Sequence, residues 1–164
     1  MKKKKKKTQQ SGSPEAVAAF VKHLTGWLRG NADRVRLAYE SHSGWEVWLH
    51  VELFLYIRAQ APQVDITRET GGYTGDLRPD FFFEGVTVEI KTEGEKQTGE
   101  AFAKAVYRDM GKVESQSGHA LVVGVCCTDA ARNELGILTT SELPAFTVNG
   151  KTVYVGWVAS EAVD

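Results

Sequence analysis

Few residues in this sequence could staple a fold together. Two cysteines and four histidines occur in 164 residues. Cys126 and Cys127 are adjacent, inside an apolar run that reads as a strand, where neighbouring side chains point to opposite faces. They read as small core residues of a cytoplasmic protein in a reducing compartment. His23, His42, His50 and His119 are scattered, with no HxxxH or Cys/His spacing, which argues against a zinc site. No apolar run reaches the ~18 residues of a membrane span. The basic start is followed by Thr8-Gln9-Gln10-Ser11-Gly12 rather than an apolar segment, so it is not a secretory signal. There is no GxSxG and no Ser/His/Asp pattern, and Gly71, Gly72 and Gly75 lack the lysine and following helix of a phosphate-cradling loop. Only four prolines and no internal repeat argue against a disordered or solenoid chain.

What is present suits one compact domain. A hydrophobic content of 42% over this length can bury a single sizeable core. The first twelve residues, with Lys2–Lys7, read as a solvated, disordered basic tail, and 13–164 as one domain. Without those six lysines, 14 basic residues face 21 acidic ones, a body charge of −7. Such a body is a poor general binder of polyanions. Contact with nucleic acid would have to come from a local basic patch, from bound metal or from the tail.

Ser13-Pro14-Glu15 reads as a helix start, with the helix running to Gly30. Val35–Tyr39 reads as a short strand. A second helix, Gly44–Ala59, carries apolar residues all round, from Trp45 to Ile57, and should be well buried. Val64–Thr67 alternates as a half-buried strand, and 70–75 reads as a flexible loop. Strands at Leu77–Phe83 and Val86–Lys91 meet at a Glu84-Gly85 turn. A third long helix covers Gly99–Ser115, and Ala120–Cys127 is a valine-rich run suited to a central strand. A short helix at Ala130–Leu135 and a hairpin through Asn149-Gly150 close the chain. The result is an α/β fold, a mixed sheet flanked by helices.

The strongest chemical signal is Pro79-Asp80 followed by Glu89-Ile90-Lys91. A turn centred on Glu84-Gly85 sets Asp80 opposite Glu89, and directly opposed residues share a face with Cβ atoms ~5 Å apart. Lys91 projects from that face too, while Phe81, Phe83, Val88 and Ile90 point into a core. Proline at 79 cannot donate to a ladder and favours an edge or bulge just before Asp80. Two opposed carboxylates repel, and a divalent cation reverses the sign of that interaction. Hard oxygen ligands from Asp80 and Glu89, with the Ile90 carbonyl as a third, suit Mg²⁺ or Mn²⁺. Metal, acidified water and an adjacent lysine are what phosphodiester hydrolysis needs, with Lys91 orienting the water or holding a phosphate oxygen.

These residues and the element order resemble the PD-(D/E)xK, or restriction-endonuclease-like, nuclease superfamily, whose core is α-β-β-β-α-β. The resemblance spans about 44–127. It implies a Mg²⁺- or Mn²⁺-dependent endonuclease, a hydrolase of nucleic acid, with DNA favoured over RNA. Asp80 and Glu89 would be metal ligands and Lys91 the catalytic lysine. The family often adds a glutamate from the preceding helix; Glu46 and Glu52 compete, and Glu52, on a stripe with Trp48, Leu49, Leu55 and Tyr56, is favoured. Lys104, Arg108 and Lys112 form a stripe that reads equally as a phosphate contact and as a solvated face paired with Glu100 and Glu114. Tyr107-x-Asp109-x-x-Lys112 resembles a pattern in several branches of the superfamily, and is assigned no catalytic duty. Arg78, Tyr73, Lys96 and Gln97 are further candidates for substrate contact. Cutting both strands of a duplex would favour a homodimer. The alternatives are an inactive nucleic-acid- or protein-binding module of the same fold, or a toxin domain that cleaves RNA or tRNA.

Overall fold

The computed structural model describes residues 12–42, 44–69, 78–113, 118–136, 145–148 and 151–159. The expected basic tail, the 70–75 loop with Tyr73, Leu77, the helix end at Ser115 and the Asn149-Gly150 turn lie outside them.

Helix α1 (Pro14–Gly30) starts as its residues dictate: Ser13 is extended, its hydroxyl accepts the Ala16 N–H at 3.1 Å, and Pro14 opens the first turn. Its inner stripe includes Phe20, Leu24 and Trp27. The expected strand at Val35–Tyr39 is instead helix α2 (Ala32–Glu40). Its buried residues, Val35 and Tyr39, lie four apart, which suits a helical stripe as well as an alternating strand. Leu37 between them decides the matter, being 61% exposed. Helix α3 (Glu46–Gln60) also departs from expectation. It buries Leu49, His50, Leu53 and Ile57, but Val47, Val51 and Leu55 form an exposed stripe at spacing four. It is an outer-layer helix, not an enclosed one.

One mixed sheet has the order β1-β2-β3-β4-β6-β5. Strands β1 (Ile66–Arg68), β2 (Phe81–Phe83) and β3 (Val86–Thr92) are antiparallel neighbours. β3 then pairs in parallel with β4 (His119–Cys126), across helix α4 (Gly99–Val113). After α5 (Asp129–Leu135), β5 (Ala145–Val148) and β6 (Lys151–Ala159) pair antiparallel, with β6 parallel to β4. The β2–β3 register, Phe83 against Val86 and Phe81 against Val88, is the one expected. Its turn uses left-handed backbone at Glu84 (φ 45°) and Gly85 (φ 82°), the combination two-residue hairpins favour.

Two apolar layers cover the sheet. Phe81, Phe83, Val88, Ile90, Leu121, Val123 and Val125 meet α1, α2 and α3 on one face. Ala120, Val122 and Cys126 meet Phe102, Val106, Ala131 and Leu135 of α4 and α5 on the other. Cys126 and Cys127 thus belong to opposite cores, both as free thiols. The α4 layer comes very close to β4: a Cβ at Gly124 would meet Phe102, Val106 and Leu135 at 3.1–3.2 Å. This sandwich brings the first turn of α3 and the middle of α4 to the end of the sheet where β3 finishes.

Candidate functional site

Lys91 is the hub of a charged cluster at that end. Its Nζ lies 3.0 Å from Oε1 of Glu46, in the first turn of α3. The other oxygen of Glu46 accepts the Thr92 N–H at 3.1 Å. From the opposite layer, Asp109 of α4 sets Oδ2 3.4 Å from the same Nζ and gives Oδ1 to Lys112 at 2.6 Å. Lys112 in turn lies 4.0 Å from Oε2 of Glu89. Glu89 and Lys91, two residues apart on β3, therefore both reach α4, as strand alternation requires.

Asp80 sits in the bend before β2, one rung past the last paired residue, Phe81. Its Oδ2 accepts the Ile90 N–H at 2.7 Å, placing the carboxylate against the peptide that follows Glu89. Continuing the register puts Pro79, which has no N–H, opposite Ile90, and the Asp80 side chain takes up the amide there. The same oxygen lies 3.6 Å from Nε2 of His50, one turn along α3 from Glu46. His50 is 3% exposed, its ring meets Phe81 edge-on, and Nε2 has no hydrogen-bond partner.

The electrostatics follow from burial and neighbours. Burial pushes Asp80 up, with Glu46 adding to the rise, against the opposing pull of His50, the Ile90 amide and Lys91. Burial pushes His50 down, outweighing the Asp80 and Glu46 carboxylates, and the imidazole is neutral at pH 7. Burial alone would lower Lys91, but Glu46 and Asp109 outweigh it and hold the ammonium charged. Lys112 is likewise raised, by Asp109 and Glu89 against burial. Glu46, Asp80, Glu89 and Asp109 thus gather around Lys91 and Lys112, with the Arg68 guanidinium near enough to act on His50. Oδ2 of Asp109, in a residue 2% exposed, also lacks a hydrogen-bond partner despite its nearness to Lys91.

Of the two candidate helical acids, Glu46 reaches Lys91 and Glu52 does not. Glu52 lies about 120° around α3 from Glu46. It faces α2, where Arg34 clamps both its oxygens at 2.9 and 3.1 Å and stacks over Trp48. The cost of a charge on that stripe is met by Arg34, and Glu46 is the acid that reaches Lys91. The cluster also takes in His50, which the sequence did not single out, and Asp109, which it named without a catalytic duty. Both had a signal: His50 is one turn from Glu46, and Asp109 is an acid on the Phe102, Val106 and Val113 face of α4, where burial is costly. The basic stripe divides. Lys104 pairs with Glu100 at 2.5 Å and Arg108 is exposed, whereas Lys112 turns into the cluster. Arg78, also exposed, donates to the Glu69 carbonyl at 3.2 Å.

Just past Lys91, Glu93 is 1% exposed. It accepts the Cys127 and Thr128 N–H groups at 2.6 and 2.9 Å and the Thr128 hydroxyl at 2.6 Å. The Trp45 indole donates to its carbonyl at 2.8 Å.

No family model, curated protein or solved structure matches this chain. Among the described residues, no helix is long and apolar enough to cross a membrane, and no three His, Cys, Asp or Glu side chains gather into a group that could hold a metal ion.

Proposed function

We propose that this chain is a metal-dependent nuclease that hydrolyses phosphodiester bonds, most readily in DNA, on a restriction-endonuclease-like core. The observation that carries the reading is the Lys91 cluster. A lysine held charged by Glu46 and Asp109 acts on Asp80, and Lys112 joins Asp109 to Glu89, so that four carboxylates gather at one end of β3. Carboxylates gathered at a largely buried site are costly, and a divalent cation would offset that cost. Mg²⁺ ordinarily takes only one or two protein carboxylates, filling its shell with water and substrate phosphate. Asp80 and Glu89, with the Ile90 carbonyl, would be the oxygens offered to it, Asp80 from the side of His50 on α3 and Glu89 from the side of Lys112 on α4. Bound Mg²⁺ or Mn²⁺ supplies an acidified water and neutralises charge building on the phosphate. Lys91 holds a phosphate oxygen or orients the attacking water, and Glu46 and Asp109 fix its ammonium from two helices. The order α3-β1-β2-β3-α4-β4, antiparallel then parallel, supports the same reading.

A second reading, a non-catalytic binding module of the same fold, is favoured by one observation. Among the described residues the acids around Lys91 have protein partners and no three-ligand group forms. The deciding experiment incubates the protein with supercoiled plasmid, single-stranded DNA and tRNA, in Mg²⁺ and then Mn²⁺. Calorimetric Mn²⁺ binding is measured alongside, for wild type and Asp80→Ala. Metal binding and cleavage that are both lost in Asp80→Ala support the nuclease. Cleavage of tRNA alone would turn it into an RNA-cleaving toxin domain. An inert protein whose metal binding ignores the substitution would sink the proposal.

A further inference from the structure

We infer that a second pocket, beside Lys91, takes one unpaired nucleotide of a single DNA strand. The inference rests on the nuclease reading for its location and on separate residues for its chemistry. A cavity of about 390 Å³ opens where the chain leaves β3, between Gly94–Gln97 on one wall and Tyr39, His42 and Gly44 on the other. That volume lies within the ~300–1,000 Å³ of small-molecule sites. It also lies outside the carboxyl end of a parallel strand, where α/β sheets characteristically bind ligands.

Both walls are tied to the segments that hold Lys91. Gly44 is followed by Trp45 and Glu46, which bond the Glu93 carbonyl and the Thr92 amide. Gly94 comes two residues after Thr92. A ligand here sits next to the charged cluster.

The lining suits a base and disfavours a phosphate in the cavity itself. Burial, and after it the Glu93, Cys127 and Glu95 side chains, push the Tyr39 hydroxyl up, and two carboxylates beside it disfavour a phosphate. The His42 ring, 58% exposed, pairs with Oε2 of Glu95 across the mouth, and offers a flat face for stacking. His42 follows the C-cap of α2 and takes, at φ 60°, the left-handed backbone with which helices commonly end. Among the described residues Oε1 of Glu95 has no partner, and it can accept from the exocyclic amino group of a base. The Gln97 carbonyl is occupied by the Gly94 N–H at 3.2 Å, leaving its amide nitrogen to donate. Lys96, exposed at the rim, is placed for the phosphate that stays outside. Lys104 and Lys112, by contrast, are paired with acids.

The test is fluorescence anisotropy with labelled oligo-dC, oligo-dT and a DNA duplex in EDTA, where binding is read without cleavage. Wild type should bind oligo-dC more tightly than oligo-dT, which has no amino group, and more tightly than duplex. Gly94→Leu fills the cavity: a Cβ there meets nothing nearer than Gln97 at 3.9 Å. It should weaken oligo-dC binding about tenfold or more. Glu95→Gln, on an exposed loop, should erase the dC-over-dT preference while leaving the fold intact, and it decides the matter if Gly94→Leu does not fold. Equal binding of all three probes, no binding, or indifference to both variants overturns the pocket. Cleavage with indifferent variants leaves the nuclease reading standing without it; pocket-dependent binding without cleavage does the reverse.

Discussion

Glu89 and Glu93 are four residues apart at the end of one strand, almost equally buried, yet they sit in opposite situations. Glu93 is saturated by two amides and a hydroxyl from the β4–α5 junction, with no lysine near it among its hydrogen-bond partners. Glu89 belongs to a cluster of charged side chains tied together by Lys91 and Lys112, in which Asp109 and His50 keep unpartnered polar atoms. A buried carboxylate that backbone donors satisfy completely is joinery: it ties β3 to the start of α5. Buried polar atoms with unmet hydrogen-bonding capacity have no such structural use, and they are where the proposed function looks for a ligand.

Variants can break this contrast, and the largest expected effect is on rate. Lys91→Met should lower cleavage about 10²–10³-fold, the loss of one positioned charge at a reacting phosphate. Plasmid nicking measures it, and a variant as active as wild type would remove Lys91 from the chemistry. Glu93→Ala should instead cost about 3 kcal/mol in urea denaturation, since three donors lose one acceptor, with Mn²⁺ affinity unchanged. A loss of metal binding there would mean that both acids serve one site. Glu46→Gln should slow cleavage about tenfold by loosening Lys91, whereas Glu52→Gln should leave cleavage at the wild-type rate. Equal effects would reinstate Glu52.

The smallest effect concerns stability and pH. Burial raises Asp80 in the folded chain. Such an acid contributes stability while protonated, below its unfolded pKa of about 3.9, and that contribution is lost as pH rises through the folded value. Asp80→Asn removes the charge while its amide oxygen still accepts the Ile90 N–H. In EDTA at neutral pH it should therefore stabilise the fold by about 1 kcal/mol, an advantage that shrinks as the solution is acidified from the raised folded pKa towards the unfolded one and is constant below it. Thermal melts at several pH values check it; a destabilised variant would mean that the charged form of Asp80 is welcome there.

The sequence made legible whatever a single local rule controls. Ser13-Pro14 set the start of α1, Glu84-Gly85 set the hairpin register, and the valine run set β4 and the opposite facing of its two thiols. It failed where two periods coincide, as at Val35 and Tyr39, and where no side was polar enough to mark an exterior, as in α3. In the site, β3 spacing alone gave Glu89 and Lys91. The partners from α3 and α4 required knowing how each helix is rotated about its axis, and Glu46 and Glu52 differ in that rotation alone. Arg34, distant in sequence, is what made Glu52 tolerable on its stripe.

The adjacent thiols give the molecule two chemical reporters. Burial pushes Cys126 far above the range in which a thiol reacts, and Cys127, at 1% exposure, is shielded in the other apolar layer. Alkylation must therefore wait for a layer to open. Since one thiol lies in the layer of α4 and α5 and its neighbour in the layer of α1, α2 and α3, the order in which the pair is modified reads out which side of the sheet loosens first.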